Sequence, residues 1–192
     1  ENIVFEKNRD VEILDQLGFA HCRLSLAIPK EETYTGPGWF MNKKIATSYP
    51  ELLSRYLAEH NLTAGIEEIS GSVEIAPGIG LAEAVCDIVS SGSTLMTNGL
   101  KEVEVLLKSQ AVVIANRNLD EEKRKILGKL LFRIRAVRNA RENKYILLNA
   151  PRESLHEICR ILPGIKSPTI LPLEEKGWCS IHSVVKEDEF WE

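Results

Sequence analysis

The chain has 192 residues, 44% of them hydrophobic and 27% charged, with a net charge of −4. That length suffices for one large domain or two small ones, and the composition is that of an ordinary soluble globular protein. The charge gives no reason to expect a nucleic-acid partner, and no apolar run reaches the roughly 18 residues of a membrane span, so none is expected.

Cys22, Cys86, Cys159 and Cys179 are widely spaced and form no CxxC pair. Structural thiols in a reducing cytosol are expected, rather than a disulfide framework or zinc site. No signal peptide is visible, so a cytoplasmic location is expected. The sequence starts at Glu1 without methionine and stops at Phe190-Trp191-Glu192 inside a predicted helix. It is expected to be part of a longer chain.

Residues 1–18 are charged and weakly patterned, with Val11, Ile13, Leu14 and Leu17 predicting a short helical or irregular approach. Residues 20–28 alternate, Cys22, Leu24, Leu26 and Ile28 on one face and His21, Arg23 and Ser25 on the other, and predict a strand closed by Pro29. His21 is either a ligand or base, or a solvated residue at a strand edge. Residues 30–40 form a loop around Gly36-Pro37-Gly38, a crossing between two lobes. Residues 44–48 predict a second strand, after which Pro50 opens a helix with Leu52, Leu53, Tyr56 and Leu57 on one face.

Residues 66–69 and 72–76 are short strand candidates, and 81–85 a short helix feeding a buried strand at 86–89. With the segment 103–115, these units predict a mainly parallel sheet, in which ligands collect beyond the carboxyl ends of the strands. Asn118-Leu119-Asp120-Glu121 has capping-box spacing and opens a long helix. Its expected buried stripe is Ile126, Leu127, Leu130, Leu131, Ile134 and Val137. Its other face is basic, from Lys123 to Arg141, and is either a solvated face or a surface for nucleic acid or an acidic partner.

From Lys144 the order is strand 145–148, helix 151–162 ended by Pro163-Gly164, strands 169–173 and 178–185 around the turn 174–177, then a helix near Glu187. This βαββ run is most of a ferredoxin-like module. The domain boundary is expected near residue 142, with a catalytic region at 1–142 and an incomplete second domain at 143–192. Within the first, one lobe takes 1–35 and 108–142, and the other 36–107.

The predicted strand at 86–89 ends in Ser90-Ser91-Gly92-Ser93-Thr94. Small hydroxyl residues around a glycine let several backbone N–H groups converge, and such a nest favours a phosphate. Asp87, three residues earlier, would repel a phosphate but suits the vicinal hydroxyls of a ribose, or a magnesium ion. Clusters of this composition also serve as ordinary turns.

The pattern Glu74-x5-Gly80-x-Ala82-x2-Val85-x-Asp87-Ile88-x2-Ser91-Gly92-x-Thr94-Leu95 resembles the signature of the ATP phosphoribosyltransferases, with every fixed position filled. Ala46-Thr47-Ser48-Tyr49-Pro50, Gly71-Ser72-Val73-Glu74, Asn98-Gly99-Leu100 and Ser167-Pro168-Thr169-Ile170 are similar to other segments of that family. The resemblance implies an α/β fold: a partial bilobal catalytic region like the periplasmic binding proteins, followed by an α+β ferredoxin-like regulatory module. It implies transfer of phosphoribose from 5-phosphoribosyl 1-pyrophosphate to N1 of ATP, the first step of histidine biosynthesis, assisted by Mg2+. The family's opening strands and helices would precede Glu1, and a helix and a strand would follow Glu192.

On this resemblance Ser90, Ser91, Gly92, Ser93 and Thr94 hold the 5-phosphate and Asp87 the ribose hydroxyls. Glu74 and Lys44 are weaker candidates in the cleft; the metal ligands are not assigned. Asn149, Ile165, Ser167, Thr169 and Val184 would form the effector pocket for histidine, with AMP as a further inhibitor. A homo-oligomer, dimer to hexamer, is implied. The alternative is a non-catalytic bilobal ligand-binding or regulatory module.

Overall fold

A strand that is apolar on both faces has to lie inside a sheet covered on both sides, and the first part of the chain is built around two such strands. The computed structural model describes residues 1–7, 10–162 and 167–190, in two units, Glu1–Leu119 and Asp120–Glu192. In the first, α1 (Asn2–Lys7) and β1 (Val11–Gln16) precede β2 (Cys22–Pro29), and β3 (Lys44–Thr47) leads into α2 (Pro50–Glu59). Then come β4 (Gly65–Glu68), β5 (Ala84–Val89), α3 (Ser93–Thr97), β6 (Leu100–Ser109) and β7 (Val112–Asn116).

The main sheet has the order β4-β3-β5-β2-β6. β3 runs parallel to β4 and β5, whereas β2 runs antiparallel to both β5 and β6. The sheet is thus mixed, not mainly parallel as the alternation of elements predicts, because that alternation does not encode the direction in which β2 inserts. It also joins strands from both sides of residue 36. Leu24, Leu26, Ile28, Ile45 and Cys86 pack on one face with Phe40, Leu53 and Leu57. Ala27, Ala46, Val85 and Val89 pack on the other with Val73, Ala82, Leu95 and Leu100. Even Ser25, placed by the alternation on the polar face, is 1% exposed.

Several local expectations change. Residues 1–18 contain a helix and a strand, and β1 pairs antiparallel with β7 from a hundred residues away, a partner no local pattern reveals. The strand expected at 72–76 is a short 3-10 turn, Val73–Ile75, entered through Ser72 in the left-handed region at φ 49°. No helix forms at 81–85: Ala84 and Val85 are already strand and fully buried, Ala84 against the first core and Val85 against the second. The segment 103–115 is divided between β6 and β7, and Pro37–Phe40 is a 3-10 turn at the end of the predicted loop.

The second unit contains α4 (Glu121–Glu142), β8 (Asn143–Pro151), α5 (Leu155–Ile161), β9 (Thr169–Pro172), β10 (Trp178–Lys186) and α6 (Glu187–Phe190). Its sheet has the order β8-β10-β9, with β10 antiparallel to both neighbours. This is the split βαβ arrangement of a ferredoxin-like module. Leu155 and Ile158 of α5 pack on Ala150, Cys179 and Ile181 on one sheet face. The helix is shorter than predicted, since Arg152–Ser154 is a 3-10 turn; Pro163 and Gly164 lie outside the described residues. α4 is capped by Asp120, whose carboxylate accepts the Lys123 amide proton at 2.8 Å, two residues later than the expected cap at Asn118. Its expected buried stripe is not buried: Ile126, Leu130 and Val137 are exposed. The 3.6-residue period marks the apolar face of a helix, not what covers it.

Candidate functional site

β5 is the middle strand of the main sheet, and its chain leaves the sheet after Val89. The turn from Ser90 into α3 requires a left-handed residue, and Gly92 supplies it at φ 81°, ψ 0°. A Cβ there would meet only ordinary contact, at 3.8 Å from Val89 Cγ1, so the glycine is set by its dihedral rather than by crowding. Leu95, 7% exposed, anchors the short helix to the core. The Asn98 side chain closes its far end by donating to the Thr94 carbonyl at 2.9 Å.

The loop borders a cavity of about 220 Å3 lined by Glu74, Asp87, Ser90, Ser91, Gly92 and Thr94, with Ile88, Val89 and Leu95. Of the sequence-predicted loop residues only Ser93 is not in this lining; its hydroxyl lies 2.9 Å from that of Ser91. Asp87 is half-buried, and its carboxyl is pushed above the usual range, first by burial and further by the charge of Glu74, against the opposing effect of the Ile88 amide. Two carboxylates beside a Ser/Gly turn favour a ligand that brings both hydroxyls and a bound cation.

Lys44 is not brought to this cavity. It begins β3, at the opposite end of the parallel strands, where its ammonium pairs with Glu67 at 2.9 Å and its amide donates to Glu83 at 2.7 Å. His21 is exposed and outside the lining. In the second unit Asn149, Thr169 and Val184 share one open face of the sheet, since Asn149 pairs with Ser180 and Thr169 with His182. Tyr145 lies on the same face, its hydroxyl hydrogen-bonded to His182 Nδ1, while His182 Nε2 is 3.1 Å from the Ser180 hydroxyl. Ser167 is exposed just ahead of β9; Ile165 lies outside the described residues.

The sequence reading missed the group behind the loop. Arg23 Nε and Nη2 donate to the two carboxylate oxygens of Glu102, each at 2.5 Å, and its Nη1 donates to the Ser90 carbonyl at 3.0 Å. Ser25 Oγ donates to the same carboxylate at 2.8 Å. No local signal joins residues 79 apart; only the register of β2 against its neighbours does. A second cavity, about 350 Å3, shares Ser91, Gly92 and Leu95 with the first and is bordered by Arg23, Lys30, Lys101 and Glu102.

Comparison with known proteins accounts for the whole chain. The family model described as ATP phosphoribosyltransferase matches residues 1–136, and that of the HisG C-terminal domain matches residues 140–192. Curated ATP phosphoribosyltransferases from Azobacteroides pseudotrichonymphae and Bacteroides thetaiotaomicron are 60% and 56% identical over all 192 residues, which span 68% of each relative. A chain of the ATP phosphoribosyl transferase (HisG:HisZ) complex from Thermotoga maritima aligns with a TM-score of 0.63 at 26% identity, over 71% of this chain and 66% of that one. The fold and these likenesses define a pentosyltransferase of the α/β class. The chain belongs to the ATP phosphoribosyltransferase family, which carries out the first step of histidine biosynthesis.

Proposed function

We propose that the cavity at the end of β5 holds the phosphoribosyl group of 5-phosphoribosyl 1-pyrophosphate while it is transferred to N1 of ATP. The observation that carries this reading is the convergence of Ser90, Ser91, Gly92 and Thr94 with Asp87 and Glu74 around one 220 Å3 space. Backbone N–H groups and hydroxyls of the loop hold the 5-phosphate, and Asp87 accepts from the ribose hydroxyls. The new bond forms between N1 of the adenine and the anomeric carbon as the bond to pyrophosphate breaks, through an oxocarbenium-like centre. The protein's contribution is to hold the sugar phosphate rigidly and align the adenine.

Among the described residues no group of three or more His, Cys, Asp or Glu side chains could hold a metal unaided. Magnesium commonly takes only one or two carboxylates and completes its shell with water and substrate phosphates, so the adjacent Glu74 and Asp87 fit it. Bound there with the substrate, Mg2+ supplies charge neutralisation for the departing pyrophosphate.

The module at 143–192 is read as the regulatory domain. Asn149, Thr169 and Val184 on its open sheet face, with Ser167 beside them, receive free histidine as feedback inhibitor, and AMP inhibits as well. Assembly as a homo-oligomer, dimer to hexamer, gives that signal a route to the active sites. A cytoplasmic location fits four thiols that are all free.

The test is Asp87→Ala and Thr94→Ala in the full-length enzyme. Each removes a hydrogen bond to a charged or strongly polar group, expected to cost about 1.5–3 kcal/mol, or roughly ten- to a hundredfold in use of 5-phosphoribosyl 1-pyrophosphate. Wild-type kinetics in both variants would reject the assignment.

A further inference from the structure

We propose that Arg23, clamped by Glu102, is a positioning residue that sets the phosphate loop in its binding conformation. The proposal rests on the reading of the cavity beside that loop as the sugar-phosphate site. A guanidinium carries five N–H donors in one rigid plane. Here two are fixed on the Glu102 carboxylate and a third reaches the Ser90 carbonyl at 3.0 Å.

That carbonyl belongs to the peptide unit joining Ser90 to Ser91. In a planar trans peptide the C=O and N–H point in opposite directions, so holding the Ser90 oxygen on Arg23 turns the Ser91 N–H away from it. The Ser91 amide of the loop is thereby given a set direction before any ligand arrives. The clamp itself has little freedom. Glu102 is fixed from a second side by Ser25, which is 1% exposed, and the Arg23 fork holds the Glu102 carboxyl below its ordinary range. Arg23 faces Val89 in the strand register, so its reach to Ser90 spans one residue beyond the sheet. With its charge met by Glu102, the guanidinium orients the loop rather than binding the phosphate itself.

A lysine at position 23 keeps the charge but cannot bridge Glu102 and Ser90 at once. In the full-length enzyme, Arg23→Lys is expected to raise KM for 5-phosphoribosyl 1-pyrophosphate about tenfold, with kcat and KM for ATP within about twofold of wild type. Glu102→Gln should move the same parameter in the same direction, and the double variant should fall short of the product of the two effects. An unchanged KM for 5-phosphoribosyl 1-pyrophosphate in both variants would overturn the proposal. So would a loss spread over kcat and both KM values in step with a lower melting temperature. If Arg23→Lys does not fold, Glu102→Gln alone decides by the same criteria. Thr94→Ala, measured alongside, separates the two claims. A raised KM there with an unchanged Arg23→Lys rejects the positioning role alone; no change in either rejects the sugar-phosphate site with it.

Discussion

Glu6 caps a helix to which it does not belong. Its carboxylate, on a residue 4% exposed, accepts the amide protons of Glu51 at 3.0 Å and Leu52 at 2.9 Å, at the positive end of α2. Tyr49, the residue in the cap position, makes no capping bond with its own side chain. A carboxylate on free amides at a helix N-terminus satisfies two donors and meets the helix dipole with opposite charge. Glu6→Ala should therefore lower stability to urea by about 1–2 kcal/mol, and an unchanged midpoint would show the contact to be incidental.

The Arg23–Glu102 pair fixes a dependence on pH. Glu102 sits below its ordinary value of 4.5, chiefly through the hydrogen bonds from Arg23. A lowered carboxylate contributes stability that is present above the ordinary value and is lost as pH falls through the lowered one. Wild type should thus exceed Glu102→Gln in stability at neutral pH, and the gap should close on acidification below about pH 4. Urea midpoints of the two proteins across that range measure it. A gap independent of pH would assign the difference to packing.

Asp87 has the opposite sign. Burial raises its carboxyl, so its charged form is disfavoured in the folded state and costs stability at neutral pH, a cost that disappears as pH falls through the raised value. Asp87→Asn is expected to melt higher than wild type at pH 7 while using 5-phosphoribosyl 1-pyrophosphate less well. A variant that melts lower would mark Asp87 as a structural carboxylate.

What the sequence disclosed follows from the range of the physics involved. The strand ending at Val89 and the turn at Gly92 were legible because each is decided locally, by an apolar run and by a dihedral that favours glycine. The segment 72–76, with apolar Val73, Ile75 and Ala76, reads as a strand because an apolar pattern this short does not distinguish strand from turn: Val73 is 1% exposed within a 3-10 turn. β1 and the Arg23–Glu102 clamp were invisible for a different reason. Their partners lie about a hundred and 79 residues away, and β2 shifts register against β6 twice on the way.

Control by histidine is testable on the second unit. Thr169, opposite His182 in the strand register, is expected to contact the effector, so Thr169→Ala should raise the histidine concentration for half-inhibition while uninhibited turnover stays near wild type. Thr169 belongs to the second unit and the phosphate loop to the first, so the effect is expected to work through a shift between two assembled states. Unaltered histidine sensitivity in Thr169→Ala and in Ser167→Ala would place the regulator elsewhere.

The insertion of β2 between β5 and β6 imposes an order on synthesis. A nascent chain that has just passed Leu95 already contains the whole phosphate loop and the strand that leads into it. It still lacks Glu102, which arrives 79 residues after Arg23, and β2 then presents one side as an unpaired edge. Such an edge is a template for pairing with other chains, and long-range strand pairing is slow to form. A chain that has emerged from the ribosome only as far as Asn98 or Gly99 would therefore display the loop without Glu102 behind it, and a chaperone that shields β2 would act most strongly in that interval.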